Sequence, residues 1–359
     1  MKLDKTVITI TGIRPDFIRM SKIFKKLDET FNHILIHTGQ HYDKMLSEVF
    51  FDELNIRKPD YNLHIGGYNS KHFEQQSVLT TAIIDLLRGE KIDPDIILFL
   101  GDSNSVLAAI PLKKEGYRIG HIEAGMRSYD RRMLEEINRV VCDHCSDLLF
   151  VYHEDYKKQA LKEGIPKENI HVVGNTIVEV CKPIVDCLVK QPKKYDQILL
   201  DIHRPENFKY KNRLTNILDY GNYCSKRYRL PIKMLSFKRT QDYISKFNIS
   251  IGDIEVVDLM SYKKYLEKVY NSLFIISDSG TAQEEPALLD TLVIVPRDFT
   301  ERPQSIENNC SFMLNVNKLI EEQDSSFSSI ENIERTIKTS WLGEGTTSNQ
   351  IINILQREI

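Results

Sequence analysis

The sequence has no long hydrophobic run, and this absence excludes two kinds of segment. No stretch approaches the ~18 consecutive apolar residues of a membrane-spanning helix. The apolar run VITITG near the N-terminus is too short, and too soon interrupted, to be the hydrophobic region of a secretory signal. We therefore expect no membrane segment and no signal peptide, and we expect a cytoplasmic location.

The sequence also has little net charge. Its 48 lysines and arginines nearly balance its 51 aspartates and glutamates, which leaves a formal net charge of -3. Nucleic-acid-binding proteins usually carry a basic surface, so no nucleic-acid partner is expected. Hydrophobic content of 41% and charged content of 28% are ordinary for a globular protein, and a local cluster of charges can still bind a small anion.

Cysteine is scarce and scattered. The six cysteines among 359 residues suit thiols in a reducing compartment better than a disulfide framework. Cys142-Asp-His-Cys145 has the spacing of half a zinc site, but no second Cys/His pair at ligand spacing follows it. We therefore expect structural thiols here and no metal.

Two common nucleotide-binding motifs are missing as well. The sequence contains neither the Gly-x4-Gly-Lys-Ser/Thr pattern nor a Gly-x-Gly-x-x-Gly turn. Neither a P-loop nor a classical dinucleotide site is therefore supported. The residues favour chemistry that uses no redox cofactor.

What is present is an alternation of strand and helix patterns. Apolar, β-branched runs that end at glycine or at polar residues predict strands, and apolar residues at helical spacing predict helices. Strands are predicted at 7–12, 33–39, 95–101, 118–125, 148–153, 197–207, 231–237, 254–260, 273–280 and 291–298. Helices are predicted at 17–29, 133–147, 213–226 and 262–271. In the second of these helices Leu134, Ile137, Val141 and Cys145 fall on one side.

This alternation predicts an α/β fold with two Rossmann-like domains, each built on a parallel sheet. We expect an N-terminal domain at 1–178 and a C-terminal domain at 179–340. A helix at 341–359 would follow, either capping one domain or crossing back to the first. If the two domains face each other, the loops at their strand ends line one cleft.

Polar residues follow strand after strand, where ligands of parallel sheets bind. The carboxylates and a histidine in these loops suit general acid and base roles, and the arginines and helix starts suit a phosphate. Each loop also has a structural interpretation. SDSG and Asp102 could cap helices, His203 could be a core histidine, and Glu135 or Glu136 could form a helical ion pair with Arg139. The residues alone therefore indicate a phosphorylated substrate and acid–base chemistry, without naming a reaction.

Nine motifs in order resemble those of the non-hydrolysing UDP-N-acetylglucosamine 2-epimerase family. They are GIRPDFIR, HTGQHYD, GDSNS, HIEAGMRS, EEINR, VGNT, HRPEN, SDSGTAQEE and RDFTERP, and they span residues 12–303. The resemblance implies a glycosyltransferase-B-like fold with the active site in the interdomain cleft, in an enzyme that is usually dimeric. It implies interconversion of UDP-GlcNAc and UDP-ManNAc for surface polysaccharide precursors. C2 deprotonation and anti elimination of UDP would give 2-acetamidoglucal, and re-addition of UDP would give the epimer, with no metal or cofactor.

The resemblance also implies roles for particular residues. Asp102, Glu123 and Glu135 look like the catalytic carboxylates, and His203 looks like the residue that assists the leaving diphosphate. The expected substrate and UDP contacts are Arg14, Arg19, Arg139, Ser279, Gly280, Glu285 and Arg302. Gln40 and His41 match a loop that contacts a second, regulatory UDP-GlcNAc in some bacterial members.

The sequence departs from the family pattern at several positions. GIRPD replaces GTRPE, Arg19 replaces the usual lysine, Thr281 and Gln304 change two later motifs, and Phe237 stands where a histidine is expected. The loop between Glu123 and Glu135 is similar in length to that of relatives acting on modified sugars. Such sugars include the 2,6-dideoxy precursor of UDP-N-acetyl-L-fucosamine and a diacetamido uronic acid. A hydrolysing epimerase, a retaining glycosyltransferase and a non-catalytic UDP-sugar sensor are further alternatives.

Overall fold

A computed structural model describes residues 2–39, 54–67, 72–318 and 337–359. The chain forms two compact units, the first comprising 1–180 and 342–359 and the second comprising 181–341. Each unit contains one sheet, of seven and six strands, whose paired strands all run parallel. The predicted α/β fold with two parallel sheets is confirmed. Within the described ranges, no helix is long and apolar enough to cross a membrane.

The seven-stranded sheet of the first unit has the order β3-β2-β1-β4-β5-β6-β7. Its strands are β1 (Thr6–Thr11), β2 (Asn32–His37), β3 (Tyr61–Asn62), β4 (Ile96–Leu100), β5 (Ile119–Ala124), β6 (Leu148–Val151) and β7 (Ile170–Val172). The central strands β4, β5 and β6 are buried at every residue, as expected for a parallel sheet covered on both faces. Their β-branched and large apolar side chains form much of this unit's core.

Helices cover this first sheet. They are α1 (Arg14–Thr30), α2 (His72–Gly89), α3 (Ala109–Lys114), α4 (Leu134–Cys145) and α5 (Glu154–Lys162). The next helix, α6 (Thr176–Leu188), begins in the first unit and ends in the second. The prediction at 133–147 is confirmed as a helix, but its apolar side faces outward: Leu134 is 49% exposed and Ile137 is 47% exposed. The buried side of α4 instead carries polar residues, among them Glu136, Arg139 and Asp143.

The six-stranded sheet of the second unit has the order β10-β9-β8-β11-β12-β13. Its strands are β8 (Gln197–Asp201), β9 (Ile232–Leu235), β10 (Glu255–Val257), β11 (Ser272–Ser277), β12 (Leu292–Val295) and β13 (Ser311–Met313). Its helices are α7 (Pro205–Phe208), α8 (Lys211–Tyr228), α9 (Lys238–Phe247), α10 (Tyr262–Asn271), α11 (Glu285–Leu288) and α12 (Pro303–Glu307). The strand predicted at 197–207 was too long, because β8 ends at Asp201 and Pro205, which presets a helical φ, begins α7.

The last helix, α13 (Thr347–Glu358), belongs to the first unit. Its buried face contributes Ile351, Ile352, Ile354 and Leu355 to that unit's core. Gly174 and Gly343 let two segments approach, because a Cβ on Gly343 would lie 3.0 Å from the Gly174 Cα. Gly343 also has φ +88°, a conformation that favours glycine.

In each sheet the strand order reverses direction at one place. The first strand of each unit lies between two later ones, β2 and β4 around β1, and β9 and β11 around β8. Ligands of open parallel sheets bind beyond the carboxyl ends of the strands at such a point. The loops after β1, β4, β8 and β11 are therefore the places to look for a functional site.

Candidate active site

The loop after β1 carries Arg14 on a tightly held turn. The Asp16 carboxylate accepts hydrogen bonds from the backbone N–H groups of Gly12 at 2.8 Å and Ile13 at 3.1 Å, which fixes the start of α1. Burial raises the pKa of Asp16 to about 7, against the opposing effect of those two N–H donors. The nearby charges of Asp102 and Glu123 raise it further. Three acidic side chains therefore influence one another at this edge of the first sheet.

Glu123 lies at the end of β5 in a strained conformation. Its φ is +69°, which is uncommon outside glycine and clusters at functional sites. The pairing of β5 with β6 shifts register between Ile122 and Ala124, so Glu123 lies at an irregularity in the strand. The Arg19 guanidinium on α1 lies 3.0 Å from the Glu123 carboxylate, and both side chains are largely buried. The structure thus holds this carboxylate against a cation.

Asp102 follows β4 and is paired with Arg139 of α4. The buried Arg139 guanidinium donates to the Asp102 carboxylate and, at 2.8 Å, to the Glu136 carboxylate. Glu136 also accepts from the backbone N–H groups of Ser128 and Tyr129, at 2.9 and 2.8 Å. The helical ion pair weighed from the sequence is therefore present, and the same arginine also orients Asp102. Glu135, in the first turn of α4, is half-buried.

A buried network beneath the Glu123 loop was missed from the sequence. The ring nitrogens of His121 face two acceptors, the Asp143 carboxylate at 2.6 Å and the Gly101 carbonyl at 2.7 Å. Burial opposes a charged imidazole, but the interactions with Cys142 and with Asp143 outweigh it, and the pKa of His121 is raised well above its usual range. The other oxygen of Asp143 accepts from the Gly125 N–H at 3.0 Å and pairs with Arg127 at 2.7 Å.

The contacts of Asp143 show that the Cys-Asp-His-Cys segment has a structural role. Cys142 is buried and Cys145 is half-buried, and both are free thiols. Asp143, between them, is the residue that holds the loop after β5. Gly125 in that loop has φ +80°, and a Cβ there would meet the Tyr156 carbonyl oxygen at 2.6 Å.

In the second unit His203 follows β8 and is held by two carboxylates. Its Nδ1 lies 2.9 Å from Asp201 and 3.5 Å from Asp278. Burial opposes the charged imidazole, yet the two carboxylates raise the pKa of His203 above its usual value. Asp278 also accepts from the backbone N–H groups of His203 and Arg204, at 3.0 and 3.1 Å. The SDSG segment therefore orients the His203 loop, a role beyond the helix cap considered from the sequence.

Asp201, His203 and Asp278 have potential ligand atoms within 4.8 Å of one another, an arrangement that could hold a metal ion. The Nδ1 atom of His203 is hydrogen-bonded to Asp201 at 2.9 Å, so this ring nitrogen is occupied by a carboxylate in the structure. The Phe237 ring lies 4.9 Å from the His203 ring, centroid to centroid, so it limits the space on one side of the imidazole.

The loop after β11 and the start of α11 carry the expected UDP contacts. Ser279 shares a hydrogen bond with Thr281 at 3.0 Å, and the Glu285 carboxylate accepts from the Tyr262 hydroxyl at 2.7 Å. Arg302 is buried and donates to Glu284 at 2.7 Å. A Cβ on Gly280 would lie 2.6 Å from the Arg302 guanidinium, so glycine permits this close approach.

Comparison with known proteins decides the family. A family model described as UDP-N-acetylglucosamine 2-epimerase matches residues 25–356. The chain belongs to the UDP-N-acetylglucosamine 2-epimerase family. A UDP-N-acetylglucosamine 2-epimerase of Methanococcus maripaludis is 36% identical to this chain, over an alignment that covers 96% of this chain and 97% of that protein. A UDP-2,3-diacetamido-2,3-dideoxy-D-glucuronate 2-epimerase of Pseudomonas aeruginosa is 33% identical over 82% of this chain and 84% of its own length.

A solved epimerase structure has the same fold. The UDP-GlcNAc 2-epimerase of Methanocaldococcus jannaschii, solved in complex with UDP-GlcNAc and UDP, superimposes with a TM-score of 0.89 at 34% identity. The match covers 98% of this chain and 99% of that one. The expected glycosyltransferase-B-like fold class and the resemblance to this epimerase family are confirmed. The chain is a UDP-sugar 2-epimerase by family, and therefore an isomerase.

Within the first unit the structure gathers the epimerase motifs into one region. Asp102, Glu123 and Arg139 lie with Asp16 and Arg19 around the ends of β1, β4 and β5. Within the second unit His203 and Ser279 follow the neighbouring strands β8 and β11, and Glu285 begins α11. Gln40 and His41 lie outside the described residues. The individual catalytic and binding roles stay predictions.

Proposed function

We propose that this epimerase interconverts UDP-GlcNAc and UDP-ManNAc without releasing the sugar. The observation that carries the proposal is the cluster of Asp16, Asp102 and Glu123 at the strand ends of the first unit, each in a different environment. Inverting a carbon needs one group to remove a proton from one face and another to return it on the opposite face. Carboxylates in different environments can divide these two tasks.

We propose the following sequence of steps. A carboxylate among Asp102, Glu123 and Glu135 removes the C2 proton, and the bond from C1 to the diphosphate oxygen breaks anti to it. UDP and 2-acetamidoglucal stay bound. UDP then adds back at C1 while a proton returns to the other face of C2, so atoms and charge balance.

His203 would act on the diphosphate in this scheme. Its raised pKa supports an imidazolium, which stabilises the negative charge that develops on the departing UDP. Arg14 and Arg302 would contribute further positive charge, and Ser279 and Glu285 would bind the nucleotide. Glu285 suits a ribose hydroxyl because its carboxylate is already oriented by Tyr262.

Product analysis tests the reaction class. Purified protein would be incubated with UDP-GlcNAc, and the products separated by anion-exchange chromatography. We expect a mixture of UDP-GlcNAc and UDP-ManNAc with almost no free UDP. Equal amounts of free UDP and ManNAc would instead establish the hydrolysing reaction, and a transfer that occurs only with an added acceptor would establish a glycosyltransferase.

A modified UDP-sugar is the second candidate substrate. The match to a diacetamido-glucuronate 2-epimerase of Pseudomonas aeruginosa at 33% identity favours it, as do the departures at Phe237 and Thr281. The proton chemistry at C2 would be unchanged. Kinetic comparison of UDP-GlcNAc with the uronic and 2,6-dideoxy UDP-sugars tests it, because the native substrate should have the highest kcat/KM.

A further inference from the structure

Tyr152 is a buried tyrosine that reaches the proposed catalytic carboxylate. It follows β6, and its hydroxyl lies 3.4 Å from Glu123 Oε2, to which it donates. The same hydroxyl lies 2.7 Å from the Thr176 hydroxyl at the start of α6. The Tyr152 and Thr176 hydroxyls share this hydrogen bond, and either oxygen can donate it. A chain of hydroxyl groups therefore runs from Thr176 through Tyr152 to Glu123.

Arg19 contacts the same carboxylate oxygen of Glu123. Its Nη1 lies 3.0 Å from Glu123 Oε2 and 3.5 Å from the Asn175 amide oxygen. Its guanidinium carbon lies 5.9 Å from the centre of the Tyr152 ring. A planar guanidinium can pair with a carboxylate and lie over an aromatic ring at once, which a lysine ammonium does less well. Arg19, at a position where the family usually has lysine, can therefore engage both Glu123 and the Tyr152 ring.

The residues that surround Arg19 and Tyr152 are themselves held in place by hydrogen bonds and burial. The Asn175 side chain accepts from the Ile177 N–H at 3.0 Å, and the Asn175 N–H donates to the Leu342 carbonyl at 2.8 Å. Thr176 is 2% exposed, and Tyr152 is 3% exposed. The donors to Glu123 are therefore held by α1, by the end of β6 and by the start of α6. Rigid supports of this kind are what a precisely placed catalytic group needs.

Glu123 needs such support because its backbone does little to fix the orientation of its side chain. At φ +69° it lies at the register shift of β5, and its side chain has three rotatable bonds. A displacement of about 1 Å in a reacting group can reduce a rate by roughly 100-fold. Two buried donors on one oxygen restrict the carboxylate to one orientation.

We propose that Tyr152 is a positioning residue for the proton-transfer step at C2, holding the Glu123 carboxylate together with Arg19. The inference rests on the proposed function, since it assigns Tyr152 to a step of that reaction. Tyr152 itself acts through Glu123 and forms no bond to the substrate in this account.

The Tyr152→Phe variant tests this inference, because it removes the hydroxyl and keeps the ring under Arg19. We expect kcat to fall by about 10-fold or more while KM changes by less than about 3-fold, as for an interaction realised in the transition state. The isotope effect on kcat with C2-deuterated substrate should rise, because proton transfer becomes slower relative to the other steps. A loss of packing alone would leave this isotope effect unchanged.

Tyr270→Phe is the matched control. Tyr270 is a similarly buried tyrosine of the second unit whose hydroxyl donates to the Gln191 carbonyl at 2.6 Å. This variant should keep the wild-type kcat and isotope effect. Thr176→Val provides a second test that leaves Tyr152 in place, and we expect a smaller fall in kcat in the same direction. The kcat of the double variant should fall no further than that of Tyr152→Phe alone, since Tyr152 and Thr176 act through one chain of hydrogen bonds.

The outcomes separate this inference from the proposed function. If the wild type epimerises no UDP-N-acetylhexosamine, the function is wrong and the role of Tyr152 is overturned with it. If the wild type is active but Tyr152→Phe keeps both its kcat and its isotope effect, only the role of Tyr152 is overturned. A selective loss of kcat in Tyr152→Phe and Thr176→Val, absent in Tyr270→Phe, supports the inference.

Discussion

The acidic side chains of the first unit differ in how they are held. Asp16 accepts from two backbone N–H groups, Glu123 pairs with Arg19, and Asp102 pairs with Arg139. These unlike surroundings are a physical basis for unlike roles in proton transfer. The first two predictions concern these residues.

Asp102→Asn and Glu123→Gln should each reduce epimerisation by at least about 1000-fold while UDP binding persists, because both residues are proposed to act on the sugar and not on the nucleotide. Steady-state kinetics and calorimetric titration with UDP measure the two effects. Glu163→Gln is the control, since Glu163 pairs with Arg127 and is not one of the proposed catalytic carboxylates. Turnover near the wild-type rate in either active-site variant would contradict the assignment.

Asp16 should make stability depend on pH. Its pKa in the folded protein, about 7, is higher than the ordinary value of 3.8, so folding favours the protonated form. The stabilisation is complete below pH 3.8 and is lost as the pH rises through about 7. Between pH 5 and pH 8 the wild type should lose several degrees more of melting temperature than Asp16→Asn, since about 1 kcal/mol corresponds to roughly 2–4 °C. Parallel melting curves for the two proteins would contradict this.

At the scale of elements, the strands that carry the site could be predicted from the sequence. The short edge strands and the buried side of α4 could not. Apolar segments rich in isoleucine marked β1, β4, β5 and β11, and each ended where a polar loop begins. The edge strands β3, β7 and β13 have two or three residues, too few to show an alternation. Pattern alone also could not tell which side of α4 is buried, because its polar residues are satisfied by groups distant in sequence.

The candidate site, too, could be predicted only in part from the sequence. The resemblance of the motifs to an epimerase family identified Asp102, Glu123 and His203. Their supports, such as Tyr152 and Asp143, come from other strands and helices, and nothing in their own neighbourhoods marks them. Long-range contacts follow from the fold, so the sequence could name the charged groups and not the network that orients them.

The Gly280 loop provides a prediction at the element scale. Gly280 has φ -66°, so alanine would not strain its backbone, but the added Cβ would lie 2.6 Å from Arg302 Nη1. Arg302 has little room to retreat because it is buried against Glu284. Gly280→Ala should therefore weaken UDP binding by about 10-fold or more, as measured by calorimetry, since overpacking would displace Arg302, which is proposed to contact UDP.

Gly89→Ala is the matched control for this change. Gly89 ends α2, and a Cβ there would meet nothing within 4 Å. It should bind UDP as the wild type does. Equal UDP affinity in Gly280→Ala and Gly89→Ala would argue against the second-unit loop as the nucleotide site.

At the scale of the whole molecule, the chain forms two α/β units, and its last helix returns to the first. The first unit also exposes apolar side chains on α3 and α4, namely Ile110, Leu134 and Ile137. Exposed apolar residues on neighbouring helices favour burial against a partner. We therefore keep the homodimer implied by the family resemblance as a proposal, with this face of α3 and α4 as its interface.

Light scattering coupled to size exclusion tests the homodimer. The wild type should elute with about twice the mass of one chain, and Leu134→Glu combined with Ile137→Glu should shift it to the monomer, because burying two charges at an interface is costly. Val189→Glu, at an exposed apolar residue just after α6, is the control and should leave the mass unchanged. A monomeric wild type would contradict the proposal.

The most direct test of the central claim is proton NMR of the protein with UDP-GlcNAc in D2O. Removal and return of the C2 proton predicts that the C2 signal disappears as deuterium enters from solvent, while a UDP-ManNAc anomeric signal grows. Deuterium should enter the product in step with epimerisation. UDP-ManNAc that forms with its C2 proton retained from the substrate would contradict the account.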